Sequence, residues 1–423
     1  MNPVFVHAAD LHLGAPLKSL ALGLDESLRK NLLELVEKAF DVLVEETINL
    51  NAEFLVLAGD IYDDAENDTK GQLRFYRGLT KLLDAGIGVY IVHGNHDPLV
   101  DPQKRMEVAK LPERVRRFSA GSVQSFVHPL RDGGEVTVAG VSFAEKHESE
   151  NLALQFKSVE RRSSQAIIGV LHTNVGGTSG QSDGLHGNYA PCKESDLRDS
   201  PIDYWALGHV HKRAVHHMGG NRYWAYPGNI QGRDVGEVGA KGALVVEILS
   251  NGVGEPVFFP CDKVRFAQLT LDCSAVEDIP GITPIFEKSL ADIDITRPLV
   301  CRLVLTGNTH AHRAIKSTEP KVLIEFLTKE SGHLLNGGYI EKIEKQTSPP
   351  VDIDRLQSED DLLGDLLRWT LKPSEDDVLE VGAKISEGAK KLLEKPETLN
   401  KLLTQIQGEF LNDLRTNEAD DSE

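Results

Sequence analysis

Residues 89–97 read Val-Tyr-Ile-Val-His-Gly-Asn-His-Asp, an apolar run followed at once by glycine and polar residues. Short runs of Val, Ile and Tyr that are bounded in this way are typical of buried strands. The sequence therefore predicts a strand over Val89–Val92 whose end delivers the loop Gly94–Asp97. Polar side chains at strand ends are the usual material of sites in α/β proteins.

The same arrangement of apolar run and polar end recurs on both sides of this stretch. The polar ends read Asp10-Leu11-His12 after Val4–Ala8, Gly59-Asp60 after Phe54–Ala58, His172 after Ala166–Leu171, and Gly208-His209-Val210-His211 after residues 204–207. Each piece alone is common, but in this order after predicted strands they indicate one shared site. The candidate metal ligands are Asp10, His12, Asp60, Asn95, His172, His209 and His211.

The ligand types point to a class of chemistry. Carboxylate, imidazole and amide ligands without cysteine suit divalent ions such as manganese, iron, magnesium or zinc, and a carboxylate can bridge two ions. Two such ions held about 3.5 to 4 Å apart can activate a water and hold phosphate oxygens during in-line displacement. The pattern therefore predicts phosphoester hydrolysis with two divalent metal ions as cofactors.

This series of motifs resembles the calcineurin-like metallophosphoesterases over roughly residues 3 to 250. Within that superfamily, the sequence is similar to the SbcD type, a DNA repair exonuclease or endonuclease subunit. The similarity lies in residues 7–14 and 204–211, followed by Tyr226-Pro227-Gly228-Asn229. The stretch Gly228–Arg233 most resembles the YhaO-type branch. The resemblance implies an α/β fold, a four-layer αββα sandwich followed by a small α+β cap domain and C-terminal helices.

Carried over residue by residue, the resemblance implies ligands for two ions and favours manganese, with iron, magnesium and zinc left open. The two ions would be held by separate groups of residues: Asp10, His12 and His211 for one, and Asn95, His172 and His209 for the other. Asp60 would bridge both ions.

The resemblance also implies catalytic residues beside the ligands. His96 would donate a proton to the leaving oxygen or stabilise the charged transition state, and Asp97 would orient His96 by a hydrogen bond. In archaeal and eukaryotic relatives a histidine stands three residues after the bridging aspartate, but here that position is Asp63. His96 is thus the main catalytic candidate. Basic residues near the metal motifs are expected to contact substrate: Lys212, Arg213 and Arg233.

Changes in composition divide the chain into three parts. Residues 1–262 form the expected catalytic domain, which includes a helical segment over 27–49 and a helix over 101–118. Residues 263–348 alternate short β-like runs with a helix near 319–332, which predicts the α+β cap. Residues 349–423 are acidic and leucine-rich, a pattern that predicts amphipathic helices followed by a disordered tail.

The formal charge of -19 at first argues against nucleic acid as a partner, since phosphate contacts need Lys and Arg. From residue 351 onward, however, there are 19 acidic and 9 basic residues, a net charge of -10 that leaves only -9 for the first 350 residues. The resemblance implies DNA ends or single strands as substrate, and an SbcC-like, SMC-type ATPase that binds the C-terminal helices. The sequence leaves the oligomeric state open, and a homodimer is among the expected partners.

Two other functions are compatible with the same sequence. The ligand set would equally serve a phosphodiesterase for cyclic or small nucleotides, whereas the helical C-terminal region would also suit a scaffold or regulatory subunit of an ATPase complex. The four cysteines show no C-x-x-C pairing, which predicts reduced thiols in a cytoplasmic protein. No apolar run reaches about 18 residues, so no membrane association is predicted.

Overall fold

The computed structural model of the chain describes residues 2–15, 26–63, 69–99, 110–161, 164–176, 189–291, 293–294 and 296–350. These residues form two compact units whose boundary passes through three long strands. Unit 1 runs to Gln268 and adds Asp294–Cys301 and Leu335–Glu341; unit 2 contains Leu269–Ile293, Arg302–Leu334 and the described residues from Lys342 onward. The predicted C-terminal helices and acidic tail, residues 351–423, lie outside the described residues.

Seven α-helices occur in the described part of the chain: Glu26–Glu37 (α1), Ala39–Asn49 (α2), Thr69–Asp84 (α3), Glu194–Arg198 (α4), Ile282–Leu290 (α5), His312–Ser317 (α6) and Pro320–Ser331 (α7). The expected helical segment over 27–49 is confirmed, as two consecutive helices that are divided at Lys38. The two helices pack against different hydrophobic clusters, Leu32 of α1 with Phe266 and Phe40 of α2 with Phe75.

The strands, in chain order, are Val4–Ala8 (β1), Phe54–Ala58 (β2), Gly88–Val92 (β3), Arg116–Arg117 (β4), Gln124–Pro129 (β5), Glu135–Gly140 (β6), Ile167–His172 (β7), Tyr204–Gly208 (β8), Ala214–His217 (β9), Tyr223–Tyr226 (β10), Gly242–Leu249 (β11), Gly252–Val253 (β12), Val257–Pro260 (β13), Arg265–Asp272 (β14), Leu299–Asn308 (β15) and Tyr339–Ser348 (β16). The predicted helix over 101–118 is wrong where the structure describes it. Residues 110–118 contain β4, which pairs with β3 and leads the chain to the fully buried Phe118.

Two mixed sheets make up most of unit 1. The first has the order β12-β11-β1-β2-β3-β4, with β13 also paired to β11, and its β1 to β4 strands are parallel. The second has the order β5-β6-β7-β8-β10-β9, in which β6, β7, β8 and β10 are parallel. Parallel strands buried on both faces read as continuous apolar runs, which is why the sequence predicted β1, β2 and β3 well.

Three hydrophobic clusters order the layers of unit 1. One packs α2 and α3 on the first sheet and contains Phe40, Leu79 and Leu55. A second fills the space between the two sheets, and a third covers the outer face of the second sheet with Phe156 and Leu197. The layers are therefore helices, sheet, sheet, and a thin layer of α4 and a 3-10 segment. The predicted α/β class is confirmed.

A small three-stranded sheet has the order β14-β15-β16. Arg265 N donates to Pro298 O and Cys273 N donates to Thr306 O, two bonds with the same sequence separation, which is the pattern of a parallel pair. Helix α5 connects β14 with β15, and α6 and α7 connect β15 with β16. Strands thus alternate with helices, and the predicted α+β character of this region is wrong; it is a small α/β sheet.

The cysteines and the helices also bear on the expected thiols and on membrane association. All four cysteines are buried, and none forms a disulfide. Among the described helices, none combines the length and the apolar character that crossing a bilayer would require.

Candidate metal centre

The seven predicted ligands lie at the carboxyl ends of five parallel strands, three in the first sheet and two in the second. The first sheet contributes Asp10 and His12 after β1, Asp60 after β2 and Asn95 after β3; the second contributes His172 at the end of β7, and His209 and His211 after β8. All seven side chains are buried. The structure therefore brings the whole predicted set to one edge of the two sheets.

Several of these residues have an unusual backbone. Asp10, His12, Asp60 and His209 have φ values of 51, 42, 51 and 101°, in the left-handed region that non-glycine residues rarely adopt. Backbone hydrogen bonds hold the turns: Asp10 N donates to Gly59 O at 3.1 Å, and His12 N donates to Asp60 O at 3.0 Å. The turns after β1 and β2 thus support each other.

Asp10, His12 and His211 form the first ligand group, in which the potential ligand atoms all lie within 4.8 Å of one another. Nε2 of His12 lies 3.1 Å from Nε2 of His211. Nδ1 of His211 donates to Oε1 of Glu237 at 2.6 Å, because a carboxylate can only accept. A neutral His211 therefore presents the lone pair of Nε2 to the group, which is the form that binds a metal ion.

Asn95, His172 and His209 form the second ligand group. Oδ1 of Asn95 lies 3.0 Å from Nε2 of His172 and 3.2 Å from Nδ1 of His209. Nδ1 of His172 donates to the backbone carbonyl of Ala58 at 2.9 Å, so Nε2 of a neutral His172 carries a lone pair. Two acceptor atoms, Nε2 of His172 and Oδ1 of Asn95, thus face each other, an arrangement that a cation between them would stabilise.

Asp60 lies between the two groups. Its Oδ2 is 3.8 Å from Nε2 of His12 in the first group and 3.5 Å from Nε2 of His172 in the second. Its Oδ1 accepts a hydrogen bond from the backbone N–H of His96 at 2.9 Å. A carboxylate in this position can reach ions in both groups.

The comparisons with known proteins agree with this geometry. The family model for calcineurin-like phosphoesterases matches residues 3–213, and the model for the middle domain of the metallophosphoesterase YhaO matches residues 266–348. The uncharacterized metallophosphoesterase YhaO of Bacillus subtilis (strain 168) is 31% identical over 309 residues, which are 72% of this chain and 71% of that protein. The chain belongs to the calcineurin-like phosphoesterases. The family predicted from the motifs is thereby confirmed.

More distant relatives of this phosphoesterase carry the name DNA double-strand break repair protein Mre11. The protein from Aeropyrum pernix is 29% identical over 262 residues, 59% of this chain and 58% of that protein. The protein from Methanococcus maripaludis is 25% identical over 241 residues, 55% of this chain and 59% of that protein. The chain thus spans less than two thirds of the length of these two relatives.

The charges of the phosphoesterase centre favour cations. Burial, and then the nearby charge of Asp60, raise the pKa of Asp10 well above its usual range. Burial also lowers the pKa of His12 to about 4, so its imidazole is neutral near pH 7. Two buried carboxylates beside the neutral imidazole of His12 need positive charge nearby. The donor set therefore fits divalent metal ions, as the sequence predicted, without fixing which metal.

His96 lies beside the ligands, and a carboxylate orients it. Nδ1 of His96 lies 2.8 Å from Oδ1 of Asp63, and Nδ1 of His12 lies 3.7 Å from the same oxygen. Burial opposes ionisation of Asp63, but the contacts with His12 and His96 outweigh it and hold the pKa of Asp63 well below its usual range. Asp63 is therefore an anion between the two imidazoles.

Asp97 has a different place from the one predicted for it. Its Oδ1 accepts from Gly94 N at 2.8 Å, and its Oδ2 accepts from Ile61 N at 3.0 Å and lies 3.1 Å from Nδ1 of His93. The carboxylate of Asp63 lies at hydrogen-bond distance from the His96 ring. Asp97, which is fully buried, instead connects the loops that follow β2 and β3.

The three basic residues expected to contact substrate lie in different surroundings. Lys212 is exposed directly after His211. The guanidinium carbon of Arg213 lies 3.9 Å from the centre of the Phe258 ring, a cation–π contact on the protein itself. Arg233 is partly buried, with Nη2 at 3.4 Å from Oε1 of Glu237. Of the three, Lys212 is the one that is exposed next to a ligand and has no hydrogen bond or ion pair with another residue in the described part of the chain.

Two residues of the centre were not assigned a role from the sequence. Glu237 supports His211, although it stands in the loop 235–239, where neither an apolar run nor ligand spacing precedes it. In the sequence, Asp63 stands out only as a departure from a histidine pattern. Both roles depend on how loops fold toward the strand ends, and neither has a signal in local sequence.

Proposed function

We propose that this phosphoesterase hydrolyses phosphodiester bonds of DNA with two divalent metal ions, for which manganese is the favoured metal. The observation that supports the proposal most is the position of Asp60 between two groups of ligands, within 3.8 Å of a histidine nitrogen in each. A shared carboxylate is what a pair of closely spaced ions requires.

The proposed roles of the ligands follow their grouping. Asp10, His12 and His211 would hold one ion, Asn95, His172 and His209 would hold the other, and Asp60 would bridge them. When bound, the two ions supply an activated water and hold the oxygens of the phosphate. Two ligand histidines are oriented by hydrogen bonds from Nδ1: His211 donates to Glu237, and His172 donates to the carbonyl of Ala58.

His96 is the proposed catalytic residue beside the ions. Its side chain is 30% exposed, so it can meet a substrate, while its backbone N–H is fixed on Asp60. With Nδ1–H directed at Asp63, the imidazolium form of His96 would give its Nε2 proton to the leaving oxygen and become the neutral Nδ1–H tautomer. Asp97 would act indirectly, because it holds the loop that carries Asn95 and His96.

DNA is proposed as the substrate on the basis of the relatives named DNA double-strand break repair protein. The exposed Lys212, directly after a ligand, is the best placed of the predicted phosphate contacts. An SbcC-like, SMC-type ATPase is the proposed partner, and residues 349–423 are the proposed binding segment. Cleavage of DNA ends or single strands would then be coupled to that ATPase.

The test is hydrolysis of a labelled linear DNA and of bis-p-nitrophenyl phosphate, with manganese, by the wild type and two variants. His96→Ala should abolish cleavage of both substrates while the bound manganese per chain stays unchanged. His310→Ala, which removes an exposed histidine of unit 2, is the matched control and should cleave like the wild type.

Each outcome separates the candidate functions. Cleavage of the small ester and of a cyclic nucleotide, but not of DNA with or without the ATPase, would replace the DNA assignment with a small-nucleotide phosphodiesterase. Absence of hydrolysis of every ester, with binding to the ATPase retained, would leave the scaffold function.

A further inference from the structure

The two ligand groups of the centre differ in charge. The first group contains the carboxylate of Asp10, whereas the corresponding oxygen ligand of the second group is the neutral amide of Asn95. Asp60 is shared and therefore does not distinguish them. On charge alone, the first group should attract a divalent cation more strongly.

The groups also differ in what stands behind their histidines. Nδ1 of His211 donates to the carboxylate of Glu237 at 2.6 Å, but Nδ1 of His172 donates to the uncharged carbonyl of Ala58 at 2.9 Å. A carboxylate behind an imidazole makes the opposite nitrogen a more basic ligand than a carbonyl does. Both differences strengthen the same group.

Glu237 is itself firmly held. Its Oε2 accepts from Nδ2 of Asn229 at 2.7 Å and from the backbone N–H of Arg233 at 2.8 Å. Its Oε1 accepts from His211 at 2.6 Å and lies 3.4 Å from Nη2 of Arg233, so His211 is its closer partner. The side chain is only 14% exposed. Nζ of Lys241 donates to the carbonyl of His211 at 3.0 Å and fixes the backbone of the ligand from the other side.

We infer that Glu237 is a positioning residue that makes the Asp10–His12–His211 group the tighter of two unequal metal sites, so that this group fills first. The inference rests on the proposed binding of two metal ions but not on the cleavage of DNA. It assigns the chain an ordered loading of its centre, with a half-loaded form at low metal concentration.

The test is a titration of metal-stripped, full-length protein with manganese, followed by calorimetry and by the electron paramagnetic resonance signal of free manganese. The wild type should show two classes of site. Glu237→Gln, which replaces the accepting carboxylate with an amide, should weaken the tighter class about 10- to 100-fold and leave the weaker class unchanged. Glu237→Asp keeps the charge at a greater distance from His211, and the affinity of its tighter class should lie between those of the wild type and Glu237→Gln.

Asn229→Ala is the matched control for an effect on the loop alone. It removes one hydrogen bond of Glu237 but keeps the contact between Glu237 and His211. The tighter class should persist in this variant. Thermal unfolding of each metal-free variant, compared with that of the metal-free wild type, separates loss of affinity from loss of the fold.

Three results would overturn the inference: an equal loss of both classes in Glu237→Gln, the same selective loss in Asn229→Ala, or a wild type without two distinguishable classes of site. A selective loss in Glu237→Gln together with an inability of the loaded wild type to cut DNA would support the inference and refute the proposed function. The two ideas can therefore fail separately.

Discussion

Oδ1 of Asp63 lies 2.8 Å from Nδ1 of His96, and Asp63 stands three residues after Asp60, where the family resemblance implies a histidine. The pair joins the loop after β2 to the loop after β3. An imidazole whose Nδ1 is held by a carboxylate has a defined tautomer and a fixed ring plane. The residue that departs from the pattern thus supports the remaining histidine.

Asp63→Ala should lower kcat about 10- to 100-fold with little change in KM, because His96 keeps its imidazole but loses the group that orients it. Steady-state hydrolysis of bis-p-nitrophenyl phosphate at saturating manganese measures both constants. Asp63→Asn, which can still accept from Nδ1, should recover part of the rate. Asp84→Ala, at an exposed position ending α3, is the control; equal kcat in wild type and Asp63→Ala would exclude the orienting role.

Asp97→Ala should lower the free energy of unfolding by about 2 to 4 kcal/mol, because it leaves the buried N–H groups of Ile61 and Gly94 without their acceptor. Asp97→Asn keeps one accepting oxygen and should cost less. Urea unfolding of the metal-free proteins gives the comparison. A loss of activity in Asp97→Ala without any loss of stability would instead indicate a direct role in catalysis.

Gly59→Ala should abolish metal binding and destabilise the fold far more than Gly86→Ala. Both glycines have positive φ, 92° and 78°, so both substitutions share a backbone cost of about 1 kcal/mol. At Gly59 the added Cβ would lie 2.4 Å from Nδ1 of His172, whereas at Gly86 no atom lies within 4 Å. Thermal unfolding and manganese stoichiometry test this pair, and similar behaviour of the two variants would contradict it.

The stability of the fold should fall in acid partly because of His7. Its Nε2 donates to Leu207 O at 3.2 Å, its Nδ1 accepts from Tyr204 at 2.9 Å, and burial lowers its pKa from 6.5 to about 3. Between these values the unfolded chain binds a proton that the folded chain excludes. The contribution of His7 is therefore full above about pH 6.5 and declines as the pH falls toward 3, by up to about 1.4 kcal/mol per pH unit.

His7→Gln, which can keep both hydrogen bonds but does not titrate, should reduce that pH dependence. Urea unfolding between pH 4 and pH 8 measures the slope for each protein. His217→Gln, at an exposed position of β9, should keep the slope of the wild type. A slope that is unchanged in His7→Gln would show that other groups account for the acid sensitivity.

The predictable part of this molecule is the part in which local sequence decides the structure. The apolar runs that form β1 and β2 are buried on both faces, and their ends had to carry the polar residues to one edge. The break between α1 and α2 at Lys38 has no such signal, because it comes from packing on two different clusters. The same holds for the small sheet, whose strand direction depends on pairing between distant residues.

The site divides in the same way. Each ligand lies in sequence at a strand end or within four residues after it, so the convergence of the ligands follows from the order of the strands. The partners of those ligands do not: Glu237 reaches His211 across 26 residues, and Asp63 reaches His96 across 33. Only the folded loops decide which carboxylate meets which imidazole, so the sequence alone does not identify Asp63 as a neighbour of the His96 ring.

The left-handed backbone at Asp10, His12, Asp60 and His209 has a consequence for the kinetics of metal exchange. Each such residue costs about 1 kcal/mol or more, and hydrogen bonds between protein backbones, such as Asp10 N to Gly59 O, maintain the conformation. The ordering of the ligands is thus completed when the chain folds, before any ion arrives. Ions should therefore bind to and dissociate from a preorganised set of ligands, at rates set by ligand exchange and not by refolding of the loops.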